Sequence, residues 1–201
     1  MKLKASKRDR RSYSQTTRAA SAAENGQRIV DAFIDRLLTQ WFDEFTLDQV
    51  AADAGVTVQT VIRRFGGKEG LLDEAARAMG ARINAKRGHP VGSITEFVNN
   101  LYADYEQTGD AVMRLLALEL RHPSVLQVTN HGRREHRNWV TTCMENFLAP
   151  LTAEDRQSVV DTLVIASDVY AWKLLRRDMK RSIPEAKSIT AKMIEAIVLK
   201  K

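Results

Sequence analysis

Between Thr46 and Phe65, two short apolar repeats of helical period meet at a single glycine, and no other stretch limits the possible folds as much. Leu47, Val50, Ala51 and Ala54 recur at i, i+3, i+4 and i+7, which is one face of an α-helix. Thr46 stands where an N-cap belongs, and Gln49 three residues on completes a capping box. Gly55 follows the last periodic residue, where a left-handed position past the helix end needs no Cβ. Thr57 then caps a second helix whose inner stripe is Val58, Val61, Ile62 and Phe65. Gln59, Thr60, Arg63 and Arg64 are left pointing outward. Two short helices joined by a tight turn containing glycine make a helix-turn-helix.

The outward face is polar and basic, a bias that an ordinary pair of packed helices does not need and a helix entering a DNA groove does. The N-terminal part of the 57–65 helix is the part that faces base edges. There Gln59 matches the N6 and N7 of adenine, and Arg64 matches the O6 and N7 of guanine. Thr57 and Thr60 are short hydroxyl groups suited to a base edge or a phosphate, and Val58 fits either a thymine methyl or the core stripe. Thr46, at a helix N-terminus, is placed for a phosphate. The expected base contacts are thus Thr57, Val58, Gln59, Thr60 and Arg64, with Thr46 and Arg63 on the backbone. Either arginine fits the base role.

The run around these helices resembles the TetR-like (TetR/AcrR) family of transcriptional regulators. Gly26 to Trp41 is similar to that family's first helix, with Val30, Phe33, Ile34, Leu37 and Trp41 as its buried stripe. Phe65-Gly66-Gly67-Lys68-Glu69-Gly70-Leu71-Leu72 is similar to its aromatic stop, short turn and opening of helix four. The resemblance covers about residues 25–75 and implies that Lys68 is a phosphate-binding lysine. Two residues depart from the pattern. Gln59 stands where members often have glycine, and Ile62 where they often have a tyrosine whose hydroxyl meets a phosphate. The resemblance leaves that contact to Arg63 or Arg64.

Charge is unevenly distributed. Residues 1–24 carry seven basic and two acidic side chains, 25–87 nine of each, and 88–201 fifteen basic and fourteen acidic, so the net +6 sits almost wholly at the N-terminus. That segment is rich in Ser, Thr, Gln and Arg and is expected to be a disordered basic arm. Such an arm can follow phosphates or enter the minor groove, or simply solubilise the chain. The hydrophobic content of 44% can fill a core, while no apolar run reaches a membrane span. With no secretory pattern and a single cysteine, Cys143, a cytoplasmic location is expected.

Past the head, residues 88–201 read as helices throughout. Helix four is expected over about Lys68–Asn84, followed by a loop at Gly88–Gly92. Ser93-Ile94-Thr95-Glu96 opens a helix to about Gln107, and Gly109-Asp110 starts another that ends near His122-Pro123. Ser124–Phe147 is expected as one helix interrupted at Gly132, Thr152 caps another reaching about Lys180, and Ile183-Pro184 begins the last. The expected fold is all-α, about nine helices. A three-helix DNA-binding domain (25–87) precedes a helical effector-binding and dimerisation domain (88–201).

The family uses such a second domain for an effector pocket and a dimer interface. Phe97, Leu101, Tyr105, Met113, Leu116, Leu120, Trp139, Cys143, Phe147 and Trp172 are the expected pocket walls. The dimer is expected through the last two helices. One brings Val159, Val160, Leu163, Val164, Ala166, Ser167, Tyr170, Ala171 and Leu174, the other Ile189, Met193, Ile194, Ile197 and Val198.

No phosphate loop, nucleophile elbow or zinc spacing occurs, so neither enzyme, cofactor nor metal is expected. His131 and His136 are five apart among Arg133, Arg134 and Arg137, which reads as a solvated basic face. The expected function is sequence-specific, palindrome-reading transcriptional regulation by a homodimer, a repressor released by a small molecule. An architectural DNA-binding protein and a helical ligand carrier are the alternatives.

Overall fold

The computed structural model describes residues 7–87 and 93–199. Ten α-helices follow in order: α1 (Lys7–Thr39), α2 (Leu47–Asp53), α3 (Val58–Phe65), α4 (Lys68–Arg87), α5 (Ile94–Leu118), α6 (Pro123–Cys143), α7 (Glu145–Leu148), α8 (Ala153–Ala166), α9 (Val169–Lys173) and α10 (Ile183–Val198). A π-helical turn over Leu174–Asp178 continues α9. No strand occurs among the described residues.

The apolar residues separate into two cores. The head core gathers Ile29, Phe33, Leu37, Val50, Val61, Leu71 and Leu72 around an aromatic cluster. There Phe33, Phe42 and Phe45 meet edge to face with centroids 5.2–6.5 Å apart, the arrangement that aromatic quadrupoles favour. Leu118 of α5 and Val125 of α6 also join this cluster, so the head is seated on the body rather than tethered beside it. The body core is built from α5, α6, α8, α9 and α10, with Phe97 stacked on Trp139 at 4.4 Å.

Several helix ends differ from the sequence reading, each for a physical reason. The backbone is helical from Lys7 onward, where a disordered arm was expected over 1–24. The stretch from Lys7 to Asn25 contains neither glycine nor proline and has four alanines, so nothing in it stops a helix. Residues 1–6, and the loop expected at Gly88–Gly92, lie outside the described residues. Helix α1 ends at Thr39, and Trp41 is 38% exposed instead of finishing the buried stripe. Phe42 and Phe45 fill that place.

Gly109 does not divide two helices but lies inside the continuous α5. A Cβ there would overlap the Trp172 ring, so this glycine is a point of close approach. Gly132 likewise lies within an unbroken α6, which breaks at Met144. The expected long helix from Thr152 ends at Ala166. Ser167 turns its hydroxyl back to the Leu163 carbonyl (2.7 Å), and Asp168 restarts the chain by accepting the Tyr170 N–H (2.9 Å).

Candidate nucleic-acid interface

The local chemistry of the helix-turn-helix follows its sequence closely. Thr46 Oγ1 accepts the Gln49 N–H (3.3 Å), and Gln49 Oε1 accepts the Thr46 N–H (2.8 Å), closing the capping box on α2. Gly55 takes φ 64° in the turn. Thr57 Oγ1 accepts the Thr60 N–H (3.3 Å), and the two hydroxyls lie 3.0 Å apart. Gly66 ends α3 in the left-handed conformation at φ 77°, its N–H donating to Ile62. Both helices are thereby fixed at each end, and α3 is held against α2 and α4 by the buried Val61.

The outer face of α3 is composed differently from the expectation. Thr57, Gln59 and Arg63 are exposed, and Thr60 and Val58 are half-buried. Val58 packs against the head core, which favours its stripe reading. Ile62, assigned to the inner stripe, is 42% exposed and stands beside Arg63. With Val61 the one buried position of α3, the stripe is narrow enough to leave Ile62 outside.

Arg64 is turned away from this face. Its guanidinium donates to the Ala22 carbonyl of α1 (2.8 Å) and lies across Gly26, where a Cβ would overlap it. Lys68 is likewise engaged internally. Its ammonium donates to the carbonyls of Phe42 and Phe45 and sits 4.6 and 4.2 Å over their rings. Burial holds its pKa below the usual lysine value, partly offset by Asp43. Both residues were expected at DNA; here Arg64 ties α3 to α1, and Lys68 ties the start of α4 to the loop after α1. Thr46 and Arg63 remain exposed and outward.

A cavity of about 480 Å³ lies behind the head, between α4, α5, α6 and the start of α9. Its apolar lining includes Ile83, Val112, Leu115, Leu116 and Val128, and its polar lining Arg87, Tyr105, His136 and Asp168. Of the ten expected wall residues, only Tyr105 and Leu116 line it. Phe97, Leu101, Trp139, Cys143 and Trp172 are buried in the body core, with Met113 and Phe147 packed on it. Leu120 is 92% exposed. Large side chains at helical spacing had marked the core, whereas the open space is bordered by Gly80 of α4 and Gly132 of α6. A Cβ on either glycine meets nothing within 4 Å. Two glycines inside long helices were the available signal.

His136 is half-buried and forms part of the cavity wall. Its Nε2 is 3.1 Å from Ser167 Oγ, and burial depresses its pKa to about 4. Arg133 pairs with Glu119 (2.8 Å) and Arg137 with Asp161 (2.6 Å), so this basic run is largely neutralised by neighbours.

A polar joint at Arg114 ties the end of α1 to the body, in addition to the Arg87–Asp104 pair between α4 and α5. Arg114 of α5 donates to the carbonyls of Leu37 and Leu38 (3.0 and 2.8 Å), which are left over at the end of α1. Nothing in the sequence marks this arginine. On the other side of the body, Val160, Leu163, Ala166 and Ile194, expected at a dimer interface, are buried in the monomer core. Ile165 (70% exposed), Tyr170, Leu174, Met179, Ile183 and Leu199 are the large apolar residues left at the surface of the last helices.

These features have clear counterparts. Residues 40–75 match the model of the bacterial regulatory proteins of the tetR family. The HTH-type transcriptional regulator SrpR of Pseudomonas putida is 38% identical over 73 residues, 36% of this chain and 30% of SrpR. The chain thus matches under a third of that relative's length. AlkX, an HTH-type transcriptional regulator of Mycobacterium tuberculosis, is 27% identical over 163 residues, 78% of this chain and 72% of AlkX. A solved tetR-family transcriptional regulator from Streptomyces coelicolor superposes with a TM-score of 0.64 at 16% identity, covering 87% of this chain and 79% of that one. Head motif, helical body and relatives point the same way: the chain is similar to the tetR family of bacterial regulatory proteins, whose model its residues 40–75 match.

Proposed function

We propose that this protein is a sequence-specific, double-stranded-DNA-binding transcriptional regulator, a homodimeric repressor whose α4–α6 cavity takes a small-molecule effector. The observation that carries the reading is the outward face of α3. A helix capped at both ends and buried at Val61 presents Thr57, Gln59, Ile62 and Arg63 to solvent. Gln59 and Arg63 carry the bidentate base contacts, with Thr57 and Thr60 beside them, Ile62 against a thymine methyl and Thr46 on a phosphate. Arg63 rather than Arg64 takes the guanine role, because Arg64 is spent on Ala22.

Two heads are needed to read two half-sites about one helical turn apart, or a multiple of it. The apolar residues left exposed near Ile165, Leu174 and Ile183 offer a second copy a surface to cover. The cavity touches α4, which packs on α1 and α3. A ligand preferring one disposition of α4 would therefore shift the spacing of the heads and weaken operator binding.

Selection of sheared genomic DNA on the purified protein tests the reading, with Gln59→Ala/Arg63→Ala as control. One palindromic motif concentrated at a few promoters and lost in the control is expected. Dispersed copies away from promoters would point to an architectural role. No enrichment over the control would end the DNA reading.

A further inference from the structure

The cavity's polar wall specifies more than its size. Ser167 Oγ donates its proton to the Leu163 carbonyl (2.7 Å), so toward His136 it can only accept. The His136 proton therefore resides on Nε2, which donates to Ser167 Oγ at 3.1 Å. Nδ1 is left as a bare acceptor. It is buried, with under 1 Å² of its surface accessible, and has no hydrogen-bond partner, so a ligand's donor reaches it as the ring gives way toward the cavity. A buried acceptor without a donor is destabilising, and an incoming donor would relieve that cost. Because burial and the nearby Arg87 depress the ring's pKa to about 4, the imidazole is neutral at ordinary pH.

The charges around the cavity narrow the ligand further. Arg87 is paired with Asp104 and lies 4.1 Å over the Trp139 ring. Arg133 is paired with Glu119, and Arg77 with Asp73 and Glu74. Each arginine at the cavity thus already has its carboxylate, and Glu135 and Asp168 add acidic groups to the lining. An anionic ligand would meet these carboxylates with every lining guanidinium already engaged. Ile83, Val112, Leu115 and Val128 supply an apolar wall for the rest of the molecule.

We infer that the cavity takes a neutral, largely apolar molecule bearing one hydroxyl or N–H that donates to His136 Nδ1. This inference rests on the effector-cavity reading above. His136 is then the residue that separates a phenol or alcohol from a hydrocarbon of the same shape, while Gly80 and Gly132 keep the space open.

The test measures dissociation constants of 1-naphthol, 1-methylnaphthalene and 1-naphthoate for the full chain and for three variants, His136→Asn, His136→Leu and Gly132→Phe. One hydrogen bond predicts that 1-naphthol binds about fivefold more tightly than its methyl isostere, with 1-naphthoate weakest. His136→Asn, which keeps an acceptor near Nδ1, should retain that preference, and His136→Leu should abolish it. Equal affinity for naphthol and methylnaphthalene in the unmodified chain overturns the inference and leaves the cavity reading standing. So does a preference that survives His136→Leu. That comparison in the unmodified chain decides the matter even if His136→Leu fails to fold. No binding by any probe, or binding that persists in Gly132→Phe, removes both the inference and the cavity reading.

Discussion

The head and the body are both helical, yet they are held together by different kinds of interaction. In the head, the caps of α2 and α3 come from residues three positions away, as with Thr46 and Gln49 or Thr57 and Thr60. In the body the same local caps open α5, α8 and α10, but the core is closed by polar bonds that span long stretches of chain, as Arg64 and Lys68 do behind α3. Tyr102 meets Thr190 at 3.0 Å, Tyr105 donates to the Ser167 carbonyl at 3.2 Å, and Trp172 and Arg176 share Glu106. That shared bond to Arg176 holds the Glu106 carboxyl below the usual range. A region built from local bonds can be read from a short window of sequence. A region built from distant ones cannot, and it is also where a cavity can be left between helices without disturbing any single helix.

The sharpest way to break the contrast uses the helix-interior glycines. Gly109→Ala should destabilise the protein by about 2–3 kcal/mol in denaturant unfolding, because its methyl must displace the Trp172 ring. A neutral result would show that the α5–α9 contact gives way freely.

Acidification tests the body next. The His136 pKa is depressed to about 4, so between pH 6.5 and 4 the unfolded chain binds a proton that the folded one refuses. Stability from this group is therefore complete above pH 6.5 and falls as pH drops toward 4, by about 3 kcal/mol. Asp168 works in the opposite direction, since burial raises its pKa and its protonation favours the folded state. His136→Asn should flatten the slope of unfolding free energy in that window, and an unchanged slope would contradict the burial of the imidazole.

For the head, Thr57→Ala should cost about 1 kcal/mol by removing the cap on α3. The loss should appear as faster hydrogen exchange in α3, with the α10 amides unchanged. The smallest effect has the opposite sign. Gly80→Ala and Gly132→Ala should each stabilise by about 0.5–1 kcal/mol, since their methyls meet open space and remove the helical penalty of glycine. Loss of stability at either position would mean that the space is not free.

These glycines also show what a sequence can and cannot reveal. Gly55 and Gly66 were readable because each follows a completed apolar repeat, where only a turn makes sense. Gly109 and Gly132 look alike in the chain and were both taken as interruptions. One admits a tryptophan ring and the other borders a cavity, and only the opposing helix distinguishes them. Charged residues behave in the same way. Arg63 and Arg64 are adjacent and equivalent on paper, but a glycine at position 26 gives Arg64 a seat on α1. The resemblance assigns Lys68 to phosphate, and no local pattern betrays the two carbonyls beneath it. The core positions of α1 were legible up to Leu37, while the choice of Phe42 over Trp41 depended on where the helix stops.

The bond from Arg114 to the end of α1 has a mechanical side. Two carbonyls of one helix are held by a planar group rooted in another, at a spot where the Leu118 and Val125 side chains also close over the head core. Such a joint resists separation far more than it resists turning. On the proposed reading, a ligand that wedges α4 from α6 loads this joint, together with the Arg87–Asp104 pair, before the outward face of α3 can move.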